Sequence, residues 1–270
     1  MSTDASEVDD ERGGFVVRPD GTVVGDDGAA GALAAALPYT GRLARRAGEL
    51  VGVGDLRAVE ALGSRRLTVG VTWTPAGEGT YRAVLAQAEP RTVPTFMVVG
   101  GADATAAVVH CVDRLVAVAG VRWGSVVTAG SRVVAAAGET TGTAHLAEVG
   151  TRMLAILRSL EDQQVAGFVR LRFEDGSLVG ASLGRHALLA RTDTTDDEAL
   201  LATVDEVRAI LADRDLSQVP TQDGPVAATR PAPEPVPEAA PPVPPPLVGA
   251  RFAGAGAREP RRARRRRFAR

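Results

Sequence analysis

The run from Gln164 to Arg191, QVAGFVRLRFEDGSLVGASLGRHALLAR, constrains the fold more than any other part of the chain. Phe168, Leu171 and Phe173 carry most of the apolar bulk of one strand, Asp175-Gly176 sits where a tight hairpin turn needs positive φ, and Leu178-Val179 begin the return. Gly184-Arg185 then makes a second short turn into HALLAR. The spacing predicts a three-strand antiparallel meander. Segments with one apolar stripe at helical period flank it, Thr143 to Leu160 before and Thr195 to Ala212 after. The expected fold class is therefore α+β, an antiparallel β-sheet packed with helices.

Upstream the same order is expected a first time. Residues 1 to 12 are acidic and polar and are expected to be disordered, after which FVVRPDGTVVG reads as a hairpin turning at Pro19-Asp20-Gly21. Gly31 to Val51 reads as a helix in which Pro38 either kinks the chain or marks the start of the longer half. Its Arg42, Arg45 and Arg46 share a face opposite Leu43, Ala47 and Leu50, and read as a solvated surface in preference to a binding patch. DLRAVEALG, RRLTVGVTW and YRAVLAQAE follow as three strands, and TFMVVG as either a further strand or a buried connector.

The second pass opens with Asp103 capping a helix from Ala104 to Ala119, which Gly120 stops. VRWGSVVTA and SRVVAAAG form a hairpin turning at Gly130, and Leu146, Val149, Met153, Leu157 and Leu160 form the apolar stripe of the next helix. Thr195 with Glu198 makes a capping box for the closing helix. Two domains are thus expected, residues 13–101 and 102–215, related by pattern more than by identity.

Beyond residue 215 the composition changes. Eleven of the 17 prolines lie between Pro220 and Pro246, so residues 216–250 read as a stiff, extended linker. Residues 251–270 carry 9 Arg against 1 acidic residue, whereas residues 1–250 carry 22 Arg against 32 Asp plus Glu. An acidic body thus precedes a basic tail. No Lys occurs in the sequence, which excludes a GxxxxGK[ST] phosphate loop, a kinase-type strand lysine and a Schiff base. Cys111 stands alone, so no intrachain disulfide and no thiolate metal site is expected, in keeping with a reducing, cytoplasmic setting. The acidic first residues do not resemble a secretory signal, and VVHCVDRLVAVAGV, broken by Asp113 and Arg114, is too short to span a membrane.

GVRWGSVVTAGSRVVAAAG, the Thr143 to Leu160 helix and RFEDGSLVGASLGRHALLARTD with its closing helix resemble the roadblock/dynein light chain family. That family's domain runs helix, β-hairpin, long helix, three strands, helix. The stretch from about Asp103 to Asp213 carries the fuller match; Gly13 to about Glu89 resembles the same pattern without the leading helix. The resemblance implies two tandem roadblock-like domains and a non-enzymatic adaptor or regulator. It also implies a protein partner, a Ras-like small GTPase in bacterial relatives, and intramolecular pairing of the two copies in place of a homodimer.

Other chemistry finds little support in the residues. His110, His145 and His186 fall in three different elements, and the adjacent His110-Cys111 pair points in different directions on a helix, so no metal is expected. Ser125 in WGSVV lacks the G-x-S-x-G elbow of a hydrolase. GDDGAAG is glycine-rich, but Asp26 and Asp27 would repel a phosphate, and no cofactor is expected. The segment with evident binding chemistry is the tail: Arg258, Arg261, Arg262, Arg264, Arg265, Arg266, Arg267 and Arg270 are expected to bind a polyanion. Nucleic acid, an anionic membrane surface and an acidic protein all fit, with Phe252 and Phe268 favouring the membrane and hence a peripheral position at its inner face. The competing readings are a pair of small-ligand sensor domains, or a nucleic-acid- or membrane-binding protein acting mainly through this tail.

Overall fold

The first hairpin forms where Asp20 can hold the turn, its carboxylate accepting from the Thr22 amide at 2.9 Å, between β1 (Gly13–Val17) and β2 (Val23–Val24). The computed structural model describes residues 13–25, 31–89, 103–140, 142–164, 167–193, 196–212 and 214–221. The chain divides into two units after Ala228, and every described residue belongs to the first. After the hairpin come α1 (Gly31–Val51), β3 (Leu56–Leu62), β4 (Arg65–Trp73) and β5 (Gly79–Gln87). The order then repeats behind a leading helix: α2 (Ala104–Val116), β6 (Val121–Val127), β7 (Val133–Gly138), α3 (Thr143–Gln164), β8 (Phe168–Phe173), β9 (Gly176–Leu183), β10 (His186–Thr192) and α4 (Asp197–Leu211).

Among the described residues ten strands join one sheet in the order β2-β1-β5-β4-β3-β8-β9-β10-β6-β7, and every pair is antiparallel. The halves meet at the centre, where Val59 lies opposite Leu171 and Ala61 opposite Val169. Beyond the strand end the Glu174 amide donates to Asp55 O at 3.2 Å and the Asp175 amide to Val53 O at 3.0 Å. Polar side chains bind the same seam: Arg172 Nε is 2.8 Å from Glu60 Oε1, and Arg57 pairs with Glu174. On one face α1 packs beside α3 across this join, with Arg46 reaching Glu148 at 3.8 Å. Small residues let α1 sit close. A Cβ at Gly48 would fall 2.3 Å from the Phe173 ring, and the C-terminal half of the buried stripe of α1 is Gly41, Ala44, Ala47, Gly48 and Val51, following Leu33, Ala34, Leu37 and Thr40, with Leu43 and Leu50 only partly covered.

The other face is unequal. In the second half α2 and α4 cover it, and strands β8, β9, β10 and β6 bury side chains on both sides, Leu188 and Ala190 toward these helices and Ala187 and Leu189 toward α3. Near-continuous apolar runs are what a strand covered on both faces requires. In the first half Leu67, Val69 and Val71 of β4 are buried while Arg66, Gly70 and Thr72 are exposed, and β5 alternates likewise through Tyr81, Ala83 and Leu85. That period of two marks a strand covered on one face only.

Several local expectations change. The helix at Pro38 continues without interruption from Gly31 to Val51. In the β6–β7 turn the residue in the left-handed region is Ser131 (φ 60), not Gly130. α4 is capped by Asp196, which accepts from the Glu198 amide at 2.9 Å, so Glu198 stands two residues after the cap and no capping box forms; Thr195 lies outside the described residues. The packed chain also runs past residue 215. Asp215 caps a short 3-10 turn, Leu216–Gln218, that buries Leu216 and Val219 against the second core, and Arg132 donates to Ser217 O at 2.9 Å. Two apolar residues suffice to extend the fold into a stretch whose proline content reads as linker. TFMVVG lies outside the described residues, as do residues 1–12.

Candidate interaction surface

Where α4 ends its cover of the sheet, a groove opens over the uncovered half. It holds about 1030 Å3 between the β3–β4–β5 floor and a wall made by Phe168, Arg170 and the α4 residues Leu201, Val204 and Arg208. The floor follows from register. Glu60 lies opposite Thr68, which lies opposite Val84, and one step along Leu62, Arg66 and Ala86 form the next row. These are the alternate positions whose neighbours face α1, so they point away from the core of that half. Val84 is 36% exposed, and a Cβ added at Gly70 would meet nothing within 4 Å.

Charge is arranged around the seam. Arg170 is 5% exposed, with its guanidinium 2.8 Å from Asp197 and 6.0 Å above the Phe168 ring. The hydrogen bond from Arg170, reinforced by the charges of Arg170, Arg172 and Arg66, holds the Asp197 carboxyl below its ordinary range in spite of burial. Glu60 is matched by Arg172. Arg66, on the floor, and Arg82, farther along the same sheet face, enter no ion pair among the described residues. Reading the sequence did not single out Arg66, Arg82, Arg170 or Asp197. The available signal was the alternation of β4 and β5, whose polar members needed a solvent-facing side.

The residues weighed earlier for chemistry are dispersed. His110 and His145 are exposed on α2 and α3, and His186 is buried on β10, its Nδ1 accepting from the Ala129 amide at 3.2 Å. No cluster of metal-ligating side chains occurs among the described residues. Ser125 is wholly buried on β6. Of the α1 arginines, Arg42 and Arg46 are exposed, while Arg45 folds back over Trp73 at 4.9 Å and pairs with Asp55 at 3.2 Å. Asp26, Asp27 and the tail residues Arg258, Arg261, Arg262, Arg264, Arg265, Arg266, Arg267 and Arg270 lie outside the described residues. No described helix is long and apolar enough to cross a membrane.

Among solved structures the chain is similar to Myxococcus xanthus MglB, at 19% identity and a TM-score of 0.37, over 47% of this chain and 100% of that one. It is also similar to a roadblock/LC7 domain from Streptomyces avermitilis, at 15% identity and a TM-score of 0.32, over 41% of this chain and 92% of that one. No family model matches the sequence, and no curated protein matches it significantly. Helix, hairpin, long helix, three-strand meander and closing helix follow one another from α2 to α4 as expected. That element order is the one the resemblance to the roadblock family implies. Within it the first half keeps the hairpin, long helix and meander, and the uncovered face and groove lie on that half.

Proposed function

We propose that the protein is a cytoplasmic adaptor or regulator without catalytic activity, which holds a protein partner against the sheet face that its described helices leave uncovered. The observation that carries this reading is the unequal cover of the sheet: α2 and α4 lie on one half, while Arg66, Gly70, Arg82 and Val84 of the other face solvent. A small-ligand sensor would call for a site that buries most of its ligand. The groove is instead flanked by exposed residues, Arg66, Gln87 and Glu89 among them, which suits a macromolecule better.

A Ras-like small GTPase is the partner class implied by the family resemblance of the sequence. The arginine tail supplies a second contact, to a polyanion, through charge density alone. Affinity capture with the full chain as bait tests the first point. A GTPase recovered in one nucleotide state and not the other is the expected result, and capture independent of nucleotide would remove the regulatory reading. Titrating the full chain and a chain ending at Val248 with duplex DNA and with phosphatidylserine vesicles at two salt concentrations tests the second. Loss of salt-sensitive binding on truncation is expected, and equal binding by both would exclude the tail as the anchor.

A further inference from the structure

Residues 214–221 form a strap on the second half, and three kinds of contact hold it there. Leu216 and Val219 are buried in the second core. Asp215 caps the 3-10 turn, its carboxylate accepting from the Ser217 amide at 3.0 Å and from the Ser217 hydroxyl at 2.5 Å. Arg132 clamps the strap from the end of the β6–β7 turn, donating to Ser217 O at 2.9 Å and to Thr221 Oγ1 at 3.0 Å.

That turn in turn rests on His186. The Thr128 amide donates to Arg132 O at 2.9 Å and the Arg132 amide to Thr128 Oγ1 at 3.2 Å, so the turn closes as one unit that carries Ala129 and Arg132 together. The Ala129 amide donates to Nδ1 of the His186 ring at 3.2 Å. A proton added at Nδ1 sets two donors face to face, and the Ala129 amide loses its acceptor. Among the described residues the charged groups that bear on the ring are Arg185 beside it, Arg132 on the β6–β7 turn and Asp215 on the strap, while its ladder neighbour on β9 is Leu183. Two cations thus outnumber one carboxylate, and that carboxylate is already engaged by Ser217. Protonation breaks the bond under the turn, repels the clamping arginine, and finds a counter-charge only by drawing Asp215 away from the cap it makes. Burial of the ring, 9% exposed, acts in the same direction.

We propose that the strap of residues 214–221 is a pH-sensitive latch, docked on the second half while His186 is neutral and released when Nδ1 takes up a proton. The sign follows from the depressed pKa of the folded ring: docking is fully supported above the ordinary histidine value of about 6.5 and loses that support as pH falls toward the folded value. The coupling is reciprocal, so a strap that disfavours the proton is itself disfavoured by it. It stands apart from the adaptor reading, because it involves the second half alone and needs no partner.

The test is hydrogen exchange of the full chain at pH 7.5 and pH 5.5, followed by mass spectrometry and corrected for the intrinsic pH dependence of exchange, with β9 as the reference for global opening. Protection of residues 214–221 should fall at pH 5.5 by at least about threefold more than that of β9. In His186→Gln, whose amide oxygen can accept from Ala129 without titrating, the strap should follow β9 at both pH values. Arg132→Gln should lower strap protection already at pH 7.5. A strap that tracks β9 in the unsubstituted chain, one that loosens equally in His186→Gln, or one indifferent to Arg132→Gln overturns the proposal. A second measurement does not depend on His186→Gln folding. Removing both apolar anchors in Leu216→Ala/Val219→Ala, with no change of charge, should speed strap exchange at pH 7.5 and raise the titration midpoint of the His186 ring followed by NMR; either change without the other, or neither, overturns it as well.

Discussion

Arg170 of β8 is buried at the seam between the halves, and its Nη1 lies 2.8 Å from Asp197 Oδ1 in the first turn of α4. The pair ties the closing helix to the central strands. Replacing Asp197 by Asn should cost about 1 to 2 kcal/mol: screening at the half-exposed carboxylate keeps the pair's own worth small, while stranding a buried guanidinium enlarges the loss. Because the folded carboxyl titrates below its ordinary value, its contribution is present above about pH 4 and is lost as pH falls through the lower folded value. Urea denaturation at pH 7 and at pH 3 should show a smaller acid-induced loss in Asp197→Asn than in the unsubstituted chain.

Gly48 on α1 offers a test of packing. Alanine there gains about 1 kcal/mol in helix propensity, but its Cβ would meet Phe173 Cε1 at 2.3 Å beneath the helix. Overpacking of a filled core costs about 1 to 3 kcal/mol, so Gly48→Ala should come out less stable by roughly 1 kcal/mol. An increase in the denaturation midpoint would show that α1 can lift away from β8 at no cost.

Cys111 should be inert in the native protein. It is wholly buried on α2, and burial, aided by Glu206, pushes its thiol up to about 11. At pH 8 the thiolate fraction then falls about two orders of magnitude below that of a free cysteine, so a disulfide reagent should label the protein slowly until denaturant is added. Rapid stoichiometric labelling of the native chain would contradict this.

His186 gives the fold a pH dependence near neutrality. Burial, with the charge of Arg185 adding to it, lowers its pKa, and the ring is neutral where Nδ1 accepts from the Ala129 amide. A histidine whose folded pKa is depressed contributes fully above the unfolded value of about 6.5, and that contribution is lost as pH falls toward the folded value. The melting temperature should therefore drop between pH 7.5 and pH 5, and by less in His186→Gln.

The meander was legible because its turns are local: Asp175-Gly176 and Gly184-Arg185 announce themselves within two residues, and φ at Gly176 is 114°. The stripes of α2 and α3 were legible for the same reason, since Val108, Val112, Leu115 and Leu146 to Leu160 recur within a few turns. The seam and the groove were not. Glu60 meets Arg172, and Arg66 feels Asp197, across more than a hundred residues of chain, and no local period encodes such a pairing. Alternation in β4 and β5 did record that one face goes uncovered by the described helices.

The seam has a consequence during synthesis. β3 is complete at Leu62, but its central neighbour begins only at Phe168, so while the chain is being made the first half carries an unpaired strand edge. At about 5 to 20 residues per second that interval lasts on the order of ten seconds. Throughout it, the β3 edge of one nascent chain can pair with the same edge on a neighbour growing from the same message, the side reaction to which open strands are prone. Arg57 and Glu60, both on that edge, place charge along it before their partners Glu174 and Arg172 have been made.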